Sequence, residues 1–202
     1  MAQIPLFPLP LVIFPGGRLP LQIFEPRYVD MVKQCLREGT GFGVVMITEG
    51  DQVLADPEQQ LPSVSHCGTY CTIVDFDELP NGMLGIMAEG QKKFVIRDEY
   101  EQVDRLMVGD VEFLVDEEKT EMPEDQEHLS SLLESLMSHE AVQRLGLNCD
   151  MTQAVEVGAR LTELLPCPNH FKQRLLEMKD PLVRLVELDK LVERIHKSSA
   201  SE

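Results

Sequence analysis

His66, Cys67 and Cys71 form the densest group of metal-ligating side chains in the 202-residue sequence. They fall in a strand pattern, where positions 67 and 71 share a face and stand roughly 13 Å apart at ~3.3 Å per residue. Zinc–sulfur bonds of about 2.3 Å cannot span that gap without a bulge in the strand. His139-Glu140-Ala141-Val142-Gln143 opens like the helix of a zinc protease. Gln143, however, occupies the position where a second histidine would put two ligands on one helical face. Cys167-Pro168-Asn169-His170 has ligand spacing but no second pair to complete a tetrahedron. With an odd number of cysteines, five, and no secretory leader pattern, all five are expected to be reduced thiols behaving as small apolar side chains. No metal and no cofactor is expected.

Other chemistries fare no better. No glycine-rich loop ends in the Lys-Ser/Thr pair that cradles nucleotide phosphates. Gly39-Thr40-Gly41-Phe42-Gly43 follows a helix pattern and precedes a strand, the reverse of the dinucleotide arrangement. The Gly-x-Ser-x-Gly elbow of the serine hydrolases is absent. Asp75, Asp77 and Glu78 cluster, but carboxylates are common in a chain of net charge -17. That charge is spread evenly, -9 over residues 1–115 and -8 over 116–202. Nucleic acid and anionic membrane both demand a basic face, so neither is an expected partner. Neither a signal peptide nor a membrane-spanning run is visible, and a soluble, cytoplasmic protein is expected.

The elements that would carry any site fall into two halves. Residues 1–24 are proline-punctuated apolar pieces, Ile4–Phe7, Leu11–Phe14 and Leu19–Phe24, predicted as short edge strands around a Pro15-Gly16-Gly17 turn. Pro26 opens a helix whose apolar face is Tyr28, Met31, Val32, Cys35 and Leu36, with Gly39 as its stop. Strands are predicted over 42–47, 64–76, 83–88, 93–97 and 103–115. Val64, His66, Gly68, Tyr70, Thr72 and Val74 share one face of the second of these, and Asn81-Gly82 is a hairpin turn. Beyond the acidic stretch 116–127 the periodicity is helical: 127–138, 152–165 with Asp150 as cap, 171–178 with Asn169 as cap, and a helix opened by Asp180-Pro181. The expected fold class is α+β: a small, mostly antiparallel β-barrel with one helix over 1–115, then a helical bundle over 116–202.

The opening, Ile4 to Tyr28, closely resembles that of the Lon protease N-terminal, substrate-binding domain family. Phe14-Pro15-Gly16, Leu19-Pro20-Leu21 and Ile23-Phe24-Glu25-Pro26-Arg27-Tyr28 carry most of the likeness. Phe42-Gly43-Val44-Val45, Gly68-Thr69, Asn81-Gly82 and Ala88-Glu89-Gly90 through Phe94 extend it, with Lys93 where the family usually has Arg. Lys172 to Glu177 and Arg184 to Leu188 resemble the closing helices. The resemblance implies a PUA-like pseudo-barrel followed by a helical bundle, and a role in selecting unfolded or damaged polypeptides. With the chain ending at Glu202, the ATPase and Ser-Lys peptidase parts are not expected, and no catalytic residue can be carried over.

Read physically, Pro15, Gly16, Pro20, Phe24, Glu25, Pro26, Arg27 and Tyr28 serve the scaffold. Pro15-Gly16 turns the chain, Glu25 sits where the helix dipole favours a carboxylate, and Arg27 pairs with Glu25 or with a nearby loop carboxylate. The leading functional expectation is a non-catalytic module that binds polypeptide clients or acts as an adaptor in protein quality control. Phe7, Leu9, Leu11 and Phe14 are its candidate contacts. The alternatives are nucleic-acid binding by analogy with PUA folds and an unrecognised hydrolase.

Overall fold

A computed structural model of the chain describes residues 1–53, 58–79 and 83–199. The chain divides into two compact units, Met1–Asp116 and Glu117–Glu202.

The first unit holds β1 (Ala2–Leu9), β2 (Arg18–Ile23), α1 (Pro26–Glu38), β3 (Gly41–Glu49), β4 (Ser63–Glu78), β5 (Leu84–Glu101) and β6 (Met107–Phe113). The strands form one sheet in the order β2-β5-β4-β3-β1-β6, and β6 pairs back onto β5. Five strands thus close a near-barrel ring, with β2 attached outside it on β5. Only β1 and β3 run parallel among the paired strands. Adjacent residues of β1 feed opposite faces of the sheet. Ile4 and Leu6 join Val45, Phe94, Ile96, Met107 and Val111 in a cluster drawn from strands alone. Phe7 and Leu9 join Ile23, Phe42, Val44, Ile86 and Ala88 beneath Tyr28, Met31, Val32 and Cys35 of α1. Pro26 opens α1 and Gly39, at φ 65°, closes it; Leu36 falls at the edge of the packed face and is exposed.

The prolines of β1 do not mark an edge strand. Ala2–Pro5 pair with β6 only, and Leu6–Leu9 pair with β3 only. Each half of β1 has one neighbour, so Pro5 and Pro8 each need satisfy one side, and a strand in mid-sheet tolerates both. Residues 11–14 form no strand. Instead Phe14-Pro15-Gly16-Gly17 is a type II turn: Gly17 N donates to Phe14 O (3.0 Å), and Gly16 takes the required positive φ of 77°.

β5 is one 18-residue strand rather than two, irregular where Cys71 faces Gly90 and Tyr70 faces Lys92. The long β4 buries Ser65, Cys67, Thr69 and Cys71, the face opposite to the His66 set. A second irregularity at Val74 resets its alternation, so that Ile73 pairs with Ala88 and Asp75 with Met87. The 81–82 turn lies outside the described residues.

The second unit contains a 3₁₀ turn (Glu124–Gln126), then α2 (Glu127–Met137), α3 (Glu140–Gln143), α4 (Ala154–Leu164), α5 (Asn169–Glu177) and α6 (Pro181–Ser199). Leu129, Leu133, Val157, Leu161, Leu175, Leu176, Leu185 and Leu188 are buried. Two of the expected caps are corrected. Asp150 holds a turn ahead of α4, accepting from Thr152 N (3.0 Å) and Thr152 Oγ1 (2.7 Å). The first amide of α4, Ala154 N, donates instead to Thr120 O (2.7 Å), a partner distant in sequence that local pattern cannot reveal. Asn169 is already inside α5, and Pro168 is its cap residue. Asp180 does cap α6, accepting from Leu182 N (2.9 Å) and Val183 N (3.4 Å).

Candidate functional site

The Lon-like opening motif is a packed structural unit. Arg27 Nε (3.1 Å) and Nη2 (2.8 Å) both donate to Glu25 Oε2, and Nη1 donates to Arg105 O (2.9 Å). The guanidinium lies 4.5 Å from the Tyr28 ring centroid, and that ring packs 4.2 Å from Phe7. Burial, opposed by the Arg27 charge, pushes the Tyr28 phenol up to about 12, so it stays a neutral donor at every physiological pH. Glu25 leaves the α1 amides without a side-chain cap; its carboxylate is committed to Arg27.

Phe7, Leu9 and Phe14 are 5, 2 and 1% exposed, and Leu11 packs against the same core. In the folded chain Phe7, Leu9 and Phe14 therefore present little surface to a client, while Leu11 stays partly exposed. The apolar character that made them candidates reflects core packing.

The chemistry-bearing side chains remain apart. His66 is exposed while Cys67 and Cys71 are buried on the other face of β4. Among the described residues no three His, Cys, Asp or Glu side chains converge in metal-holding geometry. Burial first, then the neighbouring Glu156 carboxylate, pushes the Cys149 thiol up to about 11. Since the thiolate is the nucleophile, Cys149 is expected to alkylate about a hundredfold more slowly at pH 8 than an ordinary thiol of pKa 9. Mass-spectrometric counting of labelled cysteines over time checks this, and labelling at the ordinary rate would contradict it.

What the fold leaves open lies elsewhere. Beyond Thr72, β4 has lost β3 and pairs with β5 alone. Arg18–Ile23, Leu84–Glu89 and the end of β4 therefore make a three-stranded wing. Its cross-strand rows are Pro20–Met87–Asp75 and Gln22–Gly85–Asp77, which places those side chains on one face. A hollow of about 410 Å³ opens there, mostly apolar, with Pro20, Met87 and Leu79 in its lining. Gly85 keeps it open: a Cβ at Gly85 would stand 3.0 Å from Leu79 Cδ2. Asp75 and Asp77 each use one oxygen on the next backbone amide, Phe76 N (2.9 Å) and Glu78 N (2.8 Å). Among the described residues neither forms an ion pair. The intervening row, Leu21–Ile86–Phe76, faces the other way, and Phe76 projects there 59% exposed. A second hollow beside that face is lined by Phe24, Val29, Lys33 and Met83, among others. The sequence shows Asp75 and Asp77 only as carboxylates in an acidic chain; it does not place them beside a hollow, because the Val74 irregularity that decides their face is set by pairing with β5.

Residues 3–194 match the family model of the ATP-dependent protease La (LON) substrate-binding domain. A crystal structure of a Lon N-terminal domain protein from Xanthomonas campestris superposes with a TM-score of 0.74 at 30% identity, covering 93% of this chain and 97% of that one. The N-terminal domain of the Mycobacterium avium complex Lon protease shares the fold, with a TM-score of 0.56 at 14% identity over 93% of this chain and 96% of that one. The Lon protease of Cytophaga hutchinsonii is 25% identical over 195 residues, 91% of this chain. That of Parabacteroides distasonis is 27% identical over 134 residues, 66% of this chain. The chain spans 23% and 16% of the length of these two relatives. Among the described residues no helix is long and apolar enough to cross a membrane. With the model matched over nearly its whole length and the barrel-then-helices architecture shared, the chain belongs to the Lon N-terminal substrate-binding domain family.

Proposed function

We propose that this chain binds polypeptide without processing it, as a client-binding or adaptor module of cytoplasmic protein quality control. The observation that carries the proposal is the hollow on the β2–β5–β4 wing. It is an apolar depression on a face that no described element of its own unit covers, in a chain of a substrate-binding family. Its volume lies in the range of small-ligand clefts, but it is open along one side, as a site for an extended chain must be. An unfolded segment can insert an apolar side chain between Pro20 and Met87 while its backbone stays at the surface. The net charge of -17 weighs against nucleic acid, whose phosphates require a basic face.

The test is co-elution of the purified protein with a reduced, unfolded model polypeptide, read also on a gel. The expected result is an intact client in complex, with affinity lowered at least about tenfold by Met87→Glu, a loss of about 1.4 kcal/mol. Unchanged affinity would move the site elsewhere, and cleavage of the client would overturn the non-catalytic reading.

A further inference from the structure

We propose that the hollow selects extended segments in which an apolar side chain is flanked by Lys or Arg; this rests on the polypeptide-binding reading above. Asp75 and Asp77 stand on the same face as Pro20, Gln22, Gly85 and Met87, one row apart along β4. Both are exposed, and neither is ion-paired among the described residues. Glu78, next along the strand, lies in the row Ile23–Leu84–Glu78 on the opposite face, beside the second hollow, and takes no part. Among the described residues nothing basic answers Asp75 and Asp77 on that face: Arg18, at the far end of β2, is held by Glu89 at 2.8 Å.

An apolar depression bounded on one side by unanswered carboxylates is complementary to a segment that is apolar at its centre and cationic beside it. The repeat also fits. Side chains two apart on an extended strand are separated by roughly 6.6 Å, so Asp75 and Asp77 repeat with the period of a bound extended chain. A segment lying over β5 with its apolar side chain above Gly85 brings Lys or Arg within reach of both carboxylates. An acidic flank in the same place meets like charge on a low-dielectric wall, the arrangement that rejects wrong partners.

Fluorescence anisotropy with three labelled peptides tests this. They share one apolar core and carry flanks of Lys, Ser or Glu. The Lys-flanked peptide is expected to bind at least about tenfold more tightly than the Glu-flanked one at low salt, with a gap that narrows as salt screens the charges. D75N/D77N should bring all three peptides close to the Ser-flanked affinity. E124Q/D125N, which removes the same charge from the exposed pair Glu124 and Asp125 in the other unit, should leave the gap unchanged. If both double variants narrow it equally, the preference is general acidity and the proposal falls. It also falls if the three peptides bind alike to the unaltered protein, an outcome that leaves polypeptide binding standing. If none of the peptides binds, and the unfolded polypeptide does not bind either, both readings fall together.

Discussion

Arg184→Ala is expected to lower the stability of the helical unit by about 3–5 kcal/mol, the cost of stranding one partner of a buried ion pair. Arg184 is 0% exposed, and its guanidinium is the polar centre of that unit. Nε donates to Leu175 O (3.0 Å) and Nη2 to Met178 O (3.0 Å). Nη1 and Nη2 meet the two carboxylate oxygens of Glu117 at 2.8 and 2.5 Å, fork to fork. One side chain thereby ties α6 to the end of α5 and to the first residue of the unit. Without it, the buried Glu117 carboxylate loses the guanidinium that answers its charge, and two carbonyls at the C-terminal end of α5 lose a donor. Arg184→Lys keeps the charge but not the planar fork, and should cost less than Ala yet remain clearly destabilised. Replacing both partners with Met and Leu should recover much of the loss, because an apolar pair needs no solvation. Urea unfolding followed by far-ultraviolet circular dichroism measures all four proteins. A loss below about 1 kcal/mol for Arg184→Ala would show that the pair is dispensable.

This residue marks where sequence reading runs out. The period of α6 points to Leu182, Leu185, Val186, Leu188, Leu191, Val192 and Ile195 as its apolar face. In the fold the inward stripe is Pro181, Arg184, Leu185, Leu188 and Val192, while Leu182 and Val186 are exposed. A hydrophobicity pattern assigns an arginine to solvent, and only the distant Glu117 reverses the assignment. The same limit accounts for the other corrections. α1 was legible from residue 26 to Gly39 because cap, period and stop are all local. The prolines of β1 misled because each half of the strand has a different neighbour. The wing hollow was invisible because the irregularity at Val74, which decides the face of the wing that receives Asp75 and Asp77, is defined by pairing with β5. Local chemistry predicts most of the elements and the resemblance of the opening motif points to the family; the wing hollow depends on register.

Gly90→Ala is expected to cost about 3–5 kcal/mol, from overpacking together with lost backbone hydrogen bonds. Its position in β5 needs no unusual backbone angle; the constraint is proximity. A Cβ there would lie 2.2 Å from Phe14 O and 3.0 Å from Phe14 C, and backbone cannot step aside as a side-chain tip can. The type II turn would have to lift away. That breaks the bonds from Gly16 N to Gly90 O (2.8 Å) and from Gly90 N to Gly17 O (2.9 Å), and it withdraws Phe14 from the core. Gly39→Ala is the informative contrast. Gly39 has φ 65° and nothing within 4 Å of its would-be Cβ, so only the left-handed backbone penalty applies, about 1–2 kcal/mol. Thermal and urea unfolding of the two variants should therefore rank Gly90→Ala well below Gly39→Ala. That ranking also bears on function. If Phe14-Pro15-Gly16 were a ligand-contacting motif, Gly90→Ala would lower client affinity with stability little changed. If the motif is scaffold, stability falls first, and whatever fraction stays folded binds its client at the wing with unaltered affinity.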